Sequence, residues 1–143
     1  MVNVPAVARI LGGSGVLHRR LRSLADLRQA VEDGLPVDAL ERTVAHFGLE
    51  PTMASEIKHR IVPKSTLQRR TRLTLEESER LERLARVTAL AEDVWESADL
   101  ARDFLVTAQP QLDGERPVDL ARTDLGARQV EQLLMRIEHA LPS

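Results

Sequence analysis

Apolar positions along the chain recur three and four residues apart rather than in alternation, the spacing of helices with one buried face. From Ser23 onward the pattern is helical almost throughout. Ser23 is placed to cap a helix with Asp26 at its third position, and Leu24, Leu27 and Val31 share one face before Gly34 ends it. Pro36 suits a first helical turn, and Val37, Leu40, Val44 and Phe47 form a stripe that stops at Gly48. A third segment follows Pro51 and runs to about Val62, with Met53, Ile57 and Ile61 spaced four apart. Pro63 breaks it. Ser65 and Gln68 then form a Ser-x-x-Gln capping box, which predicts a short helix over Ser65–Arg72.

A second box, Thr74 with Glu77, opens what reads as the longest helix in the chain. Leu84, Val87, Ala91, Val94, Ala98, Ala101 and Leu105 continue along it as one seam. The alanines make that seam thin, so close packing inside a domain or dimer suits it better than a free-standing zipper. Glu79 with Arg83 and Glu82 with Arg86 stand in the favourable i,i+4 order, worth about 0.2–0.5 kcal/mol each. Pro110, Gly114 and Pro117 mark Gln109–Asp119 as a loop. A final helix begins near Thr123 and Asp124, with the stripe Val130, Leu133, Ile137 and Leu141. Near the start, Gly12, Gly13 and Gly15 follow the apolar stretch Val7–Leu11. They lack the Lys-Ser/Thr of a P-loop and a preceding strand, so they read as a helix stop and turn rather than a phosphate cradle. No stretch reads as a convincing strand, and the fold class is all-α.

Composition narrows the function. The 143 residues contain no cysteine, which excludes a disulfide framework and thiolate metal sites. Only Trp95, Phe47 and Phe104 are aromatic, so aliphatic side chains must fill the core. No apolar run approaches the ~20 residues that span a bilayer, and the start has no basic-then-apolar signal pattern. These features read as a soluble cytoplasmic protein with no membrane partner. The net charge of −2 hides an asymmetry: residues 1–74 carry 12 Lys+Arg and 7 Asp+Glu, whereas residues 75–143 carry 8 and 15. A basic front joined to an acidic rear suggests polyanion contact in front and a different partner behind. Two solvated surfaces that merely differ in sign are the plainer alternative.

The most specific local feature is the helix break around Pro63. A helix, a tight turn and a capped basic helix have the layout of a helix-turn-helix, whose second helix enters the major groove of DNA. Lys58–Arg72 carries six Lys/Arg and no acid. Lys64, Ser65 and Thr66 are candidates for gripping phosphates at the helix N-terminus. Gln68 suits adenine and Arg69 suits guanine, and Arg70 and Arg72 suit backbone or bases. Leu67 is expected to face inward. Most charge runs are only solvated faces, but here charge, break and cap coincide. A single such helix binds loosely, which implies a homodimer reading two half-sites.

Catalysis finds little support. His18, His46, His59 and His139 are scattered, with no i,i+4 metal pair, so no metal site is assigned. No Gly-x-Ser-x-Gly elbow is present, and Glu76-Glu77 and Glu92-Asp93 read as exposed acids. Trp95 reads as a core anchor, with a partner surface as the sharper alternative.

Two long stretches, Val62–Trp95 and Pro110–Ser143, carry a resemblance. Their distinctive parts are the block S-T-L-Q-R-R, the helix E-S-x-R-L-x-R-L-A-R-V, and L-x-G-x-x-P-x-x-L followed by T-D-x-G-A. In these the chain resembles the Xre/MbcA/ParS-type antitoxins, the partners of RES-domain toxins in bacterial toxin–antitoxin modules. The early LGG at Leu11–Gly13 and the GLP at Gly34–Pro36 extend the likeness, while Ala140 stands where the family often has Gly.

The resemblance implies a leader and Xre-like helix-turn-helix domain over residues 1–79 and a small helical toxin-binding domain over 80–143. It implies neutralisation of an NAD⁺-degrading RES toxin, repression of the chain's own operon through operator DNA, no enzymatic activity and no cofactor. In this family the C-terminal region packs over the toxin's active-site entrance. By position, the corresponding residues here include Arg128, Glu131, Gln132, Met135, Glu138, His139, Leu141 and Ser143. Two other readings stay open: a stand-alone dimeric helix-turn-helix regulator with a dimerising or ligand-sensing rear domain, and a partner-binding module that no longer binds DNA.

Overall fold

The computed structural model describes residues 2–67 and 70–140, and among them the chain is all-α, with only isolated bridges between extended segments. Helices α1 (Val4–Ile10) and α2 (Gly13–Leu17) precede α3 (Leu24–Asp33), α4 (Val37–His46) and α5 (Pro51–Ile61). Then come α6 (Leu75–Trp95), α7 (Ala98–Leu105), α8 (Pro117–Leu120) and α9 (Asp124–Ala140). Short 3₁₀ turns lie at Lys64–Thr66 and Pro110–Leu112.

The caps explain where the helices begin. Ser23 accepts from the Asp26 amide at 3.1 Å while the Asp26 carboxylate accepts from the Ser23 amide, closing the expected box. Thr74 and Glu77 do the same for α6. The Glu50 carboxylate accepts from the Thr52 and Met53 amides ahead of Pro51.

Helix α6 is the axis of the molecule. It packs against α1, α3, α4, α5, α7 and α9, and Leu81, Leu84, Ala85, Val87, Ala91 and Val94 are all buried along it. A helix apolar or small on several sides is one that neighbours surround. Each fully buried leucine contributes about 1.5–3 kcal/mol, so the cluster around Leu81, Leu40, Leu105 and Leu134 replaces the missing aromatic mass.

Several expectations are corrected. The long seam is not one helix: Glu96 adopts left-handed backbone (φ 51°), and the Ser97 hydroxyl caps the Leu100 amide, starting α7 afresh. This break folds α7 back on α6, burying Ala101 and Leu105 but leaving Ala98 exposed. The loop Gln109–Asp119 contains a 3₁₀ turn and the start of α8 at Pro117. Arg83 does not pair with Glu79; its guanidinium donates to the Ala121 and Arg122 carbonyls, while Arg86 keeps its ion pair with Glu82 at 3.3 Å. Leu24 points outward, 62% exposed.

The predicted helix over Ser65–Arg72 is not present in its described residues. Lys64–Thr66 form a single 3₁₀ turn, and the Thr66 hydroxyl donates to the Pro63 carbonyl. The chain bends at Thr71 and pairs instead with the α3–α4 connection, bridging Arg72 to Pro36: Val37 N–H donates to Thr71 O and Leu73 N–H to Leu35 O. Gly34 makes that pairing possible, since its φ is +89° and a Cβ there would lie 2.6 Å from the Leu73 carbonyl oxygen.

Candidate nucleic-acid and partner interfaces

The basic stretch Lys58–Arg72 is less free than its sequence suggests. Lys58 pairs with Glu41 of α4 at 2.5 Å, and Arg60 with Asp119 of α8 at 2.9 Å. Two bonds at 2.8 and 2.9 Å join the Arg70 fork to both Glu77 oxygens, the bidentate geometry that guanidinium and carboxylate favour. Arg72 donates to the Gly34 carbonyl at 2.7 Å and stays exposed. Lys64, Ser65 and Thr66 are exposed, and Lys64 has no ion pair among the described residues. Gln68 and Arg69 lie outside the described residues. Leu67 packs half-buried against the core, as expected.

Glu77 is not the exposed acid that its sequence context suggests: it is 6% exposed. Burial alone would raise its carboxyl, but bonds from Arg70 and from the Thr74 amide outweigh that and hold it below the usual carboxylate value. The same pairing raises the Arg70 guanidinium above its usual value. Its position as third residue of a capped helix was legible in the sequence. Its partner seven residues upstream was not.

The rear region is organised around α9. The Thr123 hydroxyl caps the Gly126 amide at 3.0 Å. A Cβ on Gly126 would fall 1.9 Å from the Leu120 carbonyl oxygen, so the T-D-x-G-A motif records a close approach between α8 and α9. Ala127, Val130, Leu133 and Leu134 are buried, with Ile137 half-buried beyond them. The opposite face carries Arg128, Gln132, Met135, Glu138 and His139, all exposed, with Glu131 half-buried at its edge. Leu141 and Ser143 lie outside the described residues. Trp95 is half-buried, its ring 6.1 Å from that of Phe104.

The two regions are riveted together. Arg116, just before α8, hydrogen-bonds Asp119 and reaches Glu56 of α5 at 2.5 Å, while Arg60 of α5 meets the same Asp119. Bonding first to Asp119 and then to Glu56 raises the Arg116 guanidinium well above its usual value. Arg80 adds a fork onto the Ile61 carbonyl at the end of α5. His46, on the flank of its helix as expected, meets Glu92 of α6 at 2.5 Å. Among the described residues no cluster of His, Cys, Asp and Glu has the arrangement of a metal site. No described helix is long and apolar enough to cross a membrane.

Comparison with known proteins assigns both regions. Residues 26–86 match the antitoxin Xre-like helix-turn-helix domain, and residues 90–140 match the antitoxin Xre/MbcA/ParS C-terminal toxin-binding domain. The chain is also 31% identical over 117 residues to an antitoxin Xre of Pseudomonas putida, covering 82% of this chain and 74% of that protein. The match extends across α6 and both regions it joins, and on that ground the chain belongs to the Xre-type antitoxins, with a helix-turn-helix domain in front and a toxin-binding domain behind.

Proposed function

We propose that this antitoxin neutralises its toxin with the outward face of α9 and the tail beyond it, and represses its own operon through the segment Lys64–Arg72. The toxin in this reading is a RES-domain enzyme that degrades NAD⁺. One observation carries the toxin assignment. In the region matched to the toxin-binding domain, α9 commits one face to the core and leaves Arg128, Gln132, Met135, Glu138 and His139 uncovered together. Glu131 lies at the edge of this surface, and Leu141 and Ser143 are assigned to the same contact. The net negative charge of residues 75–143 would steer the antitoxin toward an electropositive dinucleotide cleft and compete with its substrate.

On the DNA side, Lys64, Ser65 and Thr66 contact phosphates, joined by Arg72 and by Gln68 and Arg69 reading bases. Arg70, held by Glu77, positions this segment rather than touching DNA. The working division of the chain falls within α6, near residues 79 and 80, so one helix serves both regions. The protein acts in the cytoplasm as a homodimer, without a cofactor and without an activity of its own.

The test is co-expression with the toxin and a measurement of cellular NAD⁺. The intact chain restores growth and NAD⁺, and Met135→Asp weakens the rescue. Full rescue by that variant combined with Gln132→Asp contradicts the α9 assignment. Rescue with no binding to the promoter removes the repressor role while leaving neutralisation in place.

A further inference from the structure

Three arginines of the E-S-x-R-L-x-R-L-A-R-V helix, Arg80, Arg83 and Arg86, stand three residues apart on α6. At about 100° per residue, each points about 60° round the helix from the one before. The first two perform the same task on different neighbours. Arg80 donates from Nε and Nη2 to the carbonyl of Ile61, the last residue of α5, at 3.0 and 2.8 Å. Arg83 donates from Nε to the Ala121 carbonyl at 3.2 Å and from Nη2 to that of Arg122, just past α8. Each guanidinium covers carbonyls left open at a helix C-terminus, where the helix dipole also favours a cation.

Arg86 has the same fork and nothing to cap. Its Nε is sealed from solvent with no hydrogen-bond partner among the described residues. Glu82 lies 3.3 Å from that nitrogen but not in line for a bond. Nor does the pair offset its own burial: burial pushes the Glu82 carboxyl above its ordinary value despite Arg86 and Arg83 beside it. A buried donor without an acceptor is costly, and such groups in native proteins are ordinarily satisfied.

The surface beside Arg86 is hollow. A cleft of about 300 Å³ is lined by Arg86 on α6 and by Arg128 and Gln132 on α9. Those two α9 residues belong to the face proposed to meet the toxin, so the cleft continues that face onto α6. Glu82, Asp124 and Glu131 outnumber the two arginines around it, which disfavours an incoming carboxylate. Uncharged carbonyls meet no such repulsion, and carbonyls are what Arg80 and Arg83 already bind.

We infer that Arg86 is a docking residue for the toxin: its fork caps the open carbonyls at the C-terminal end of a toxin helix that enters the α6–α9 cleft beside Arg128 and Gln132. The inference rests on the toxin-binding role proposed for α9 and adds to it a contact on α6.

The experiment is calorimetric titration of the full chain with the purified toxin, with circular-dichroism melting to confirm that each variant is folded. Arg86→Ala raises the Kd by about tenfold or more. Arg86→Lys keeps the charge but not the fork and recovers little of that loss. Glu82→Gln removes the ion pair but leaves the fork, and binds like wild type. In ¹⁵N spectra of the arginine side chains, the Arg86 Nε–H signal shifts and exchanges more slowly once toxin is bound. A wild-type Kd for Arg86→Ala, or an Nε–H signal that toxin leaves unmoved, overturns the inference. Full recovery by Arg86→Lys marks a plain charge contact, and an equal loss in Glu82→Gln marks a structural role; either result overturns it too. So does an Arg86→Ala chain that keeps its toxin Kd but loses operator binding or self-association, which assigns the cleft to DNA or to a second copy. Met135→Asp separates the two readings. If it loses toxin while Arg86→Ala does not, the α9 face stands and the α6 contact falls; the reverse result keeps Arg86 and removes the α9 face.

Discussion

The two surfaces assigned to partners are built in opposite ways. The face of α9 is offered by a regular, capped helix whose other side is locked in the core, so its exposed residues are presented without further support. The described residues of Lys64–Arg72 form one 3₁₀ turn and are held from outside: Arg70 by Glu77, Arg72 on Gly34, and the backbone of Thr71 and Leu73 on the α3–α4 connection. On the first surface only Arg128 is paired among the described residues, with the exposed Asp124, and the other charges face outward. On the second, part of the charge is already spent on holding the segment in place. Counting basic residues therefore overstates what the front region offers to a polyanion, and counting acidic ones says little about which face of α9 is used.

The contrast can be broken most severely at the base of α9. Leu134 is fully buried, and Leu134→Ala should cost about 2–5 kcal/mol in chemical denaturation, loosening the surface proposed to meet the toxin with it. Gly126→Ala forces a Cβ into the Leu120 carbonyl and should lower stability by about 1–3 kcal/mol, read the same way. A wild-type melt from this variant would mean α8 and α9 do not approach as described.

The outside support of the basic segment is tested next. Glu77→Gln keeps size but removes the charge that Arg70 embraces, and about 1–2 kcal/mol of stability should go with it. Because the Glu77 carboxyl is held below its ordinary value in the fold, the stabilisation is complete above the unfolded carboxylate value. It is lost as pH falls through the lowered one. The acid limb of a stability–pH curve should flatten in Glu77→Gln, and an unchanged limb would remove the pair from the account. Arg116→Ala breaks the rivet between α5 and α8 and should cost about 0.5–1 kcal/mol, less at high salt because its partners are partly exposed. A double-mutant cycle with Glu56→Ala gives the coupling directly. The smallest effect belongs to Asp124→Asn, which removes an exposed pair with Arg128 and should change stability by no more than about 0.5 kcal/mol.

Much of this architecture was legible from caps and stripes, because Ser23, Thr74 and the Leu40–Val44 stripe act within a few residues of themselves. What the sequence concealed was set by contacts distant along the chain. The box at Ser65 and Gln68 argues for a helix, but in the described residues pairing with Leu35 and Val37 holds Thr71–Leu73 against the α3–α4 connection. The seam through Ala98 looked continuous because spacing cannot register a left-handed residue at Glu96. Arg83 had a fitting partner one turn away and took two carbonyls of the α8–α9 turn instead. For the candidate site, residue types and region were readable, and the outward direction of Arg128, Gln132, Met135, Glu138 and His139 follows from the buried stripe beside them. The engagement of Lys58, Arg60 and Arg70 was not, since Glu41, Asp119 and Glu77 reach them through the fold.

The central claim is that the uncovered face of α9 meets the toxin while the exterior of Lys64–Arg72 meets DNA. Its most direct test is NAD⁺ loss catalysed by the purified toxin at equimolar antitoxin, comparing the intact chain with Met135→Asp and Lys64→Ala. The account predicts full protection by the intact chain and by Lys64→Ala, and renewed NAD⁺ loss with Met135→Asp. Toxin left fully active by the intact chain would contradict it.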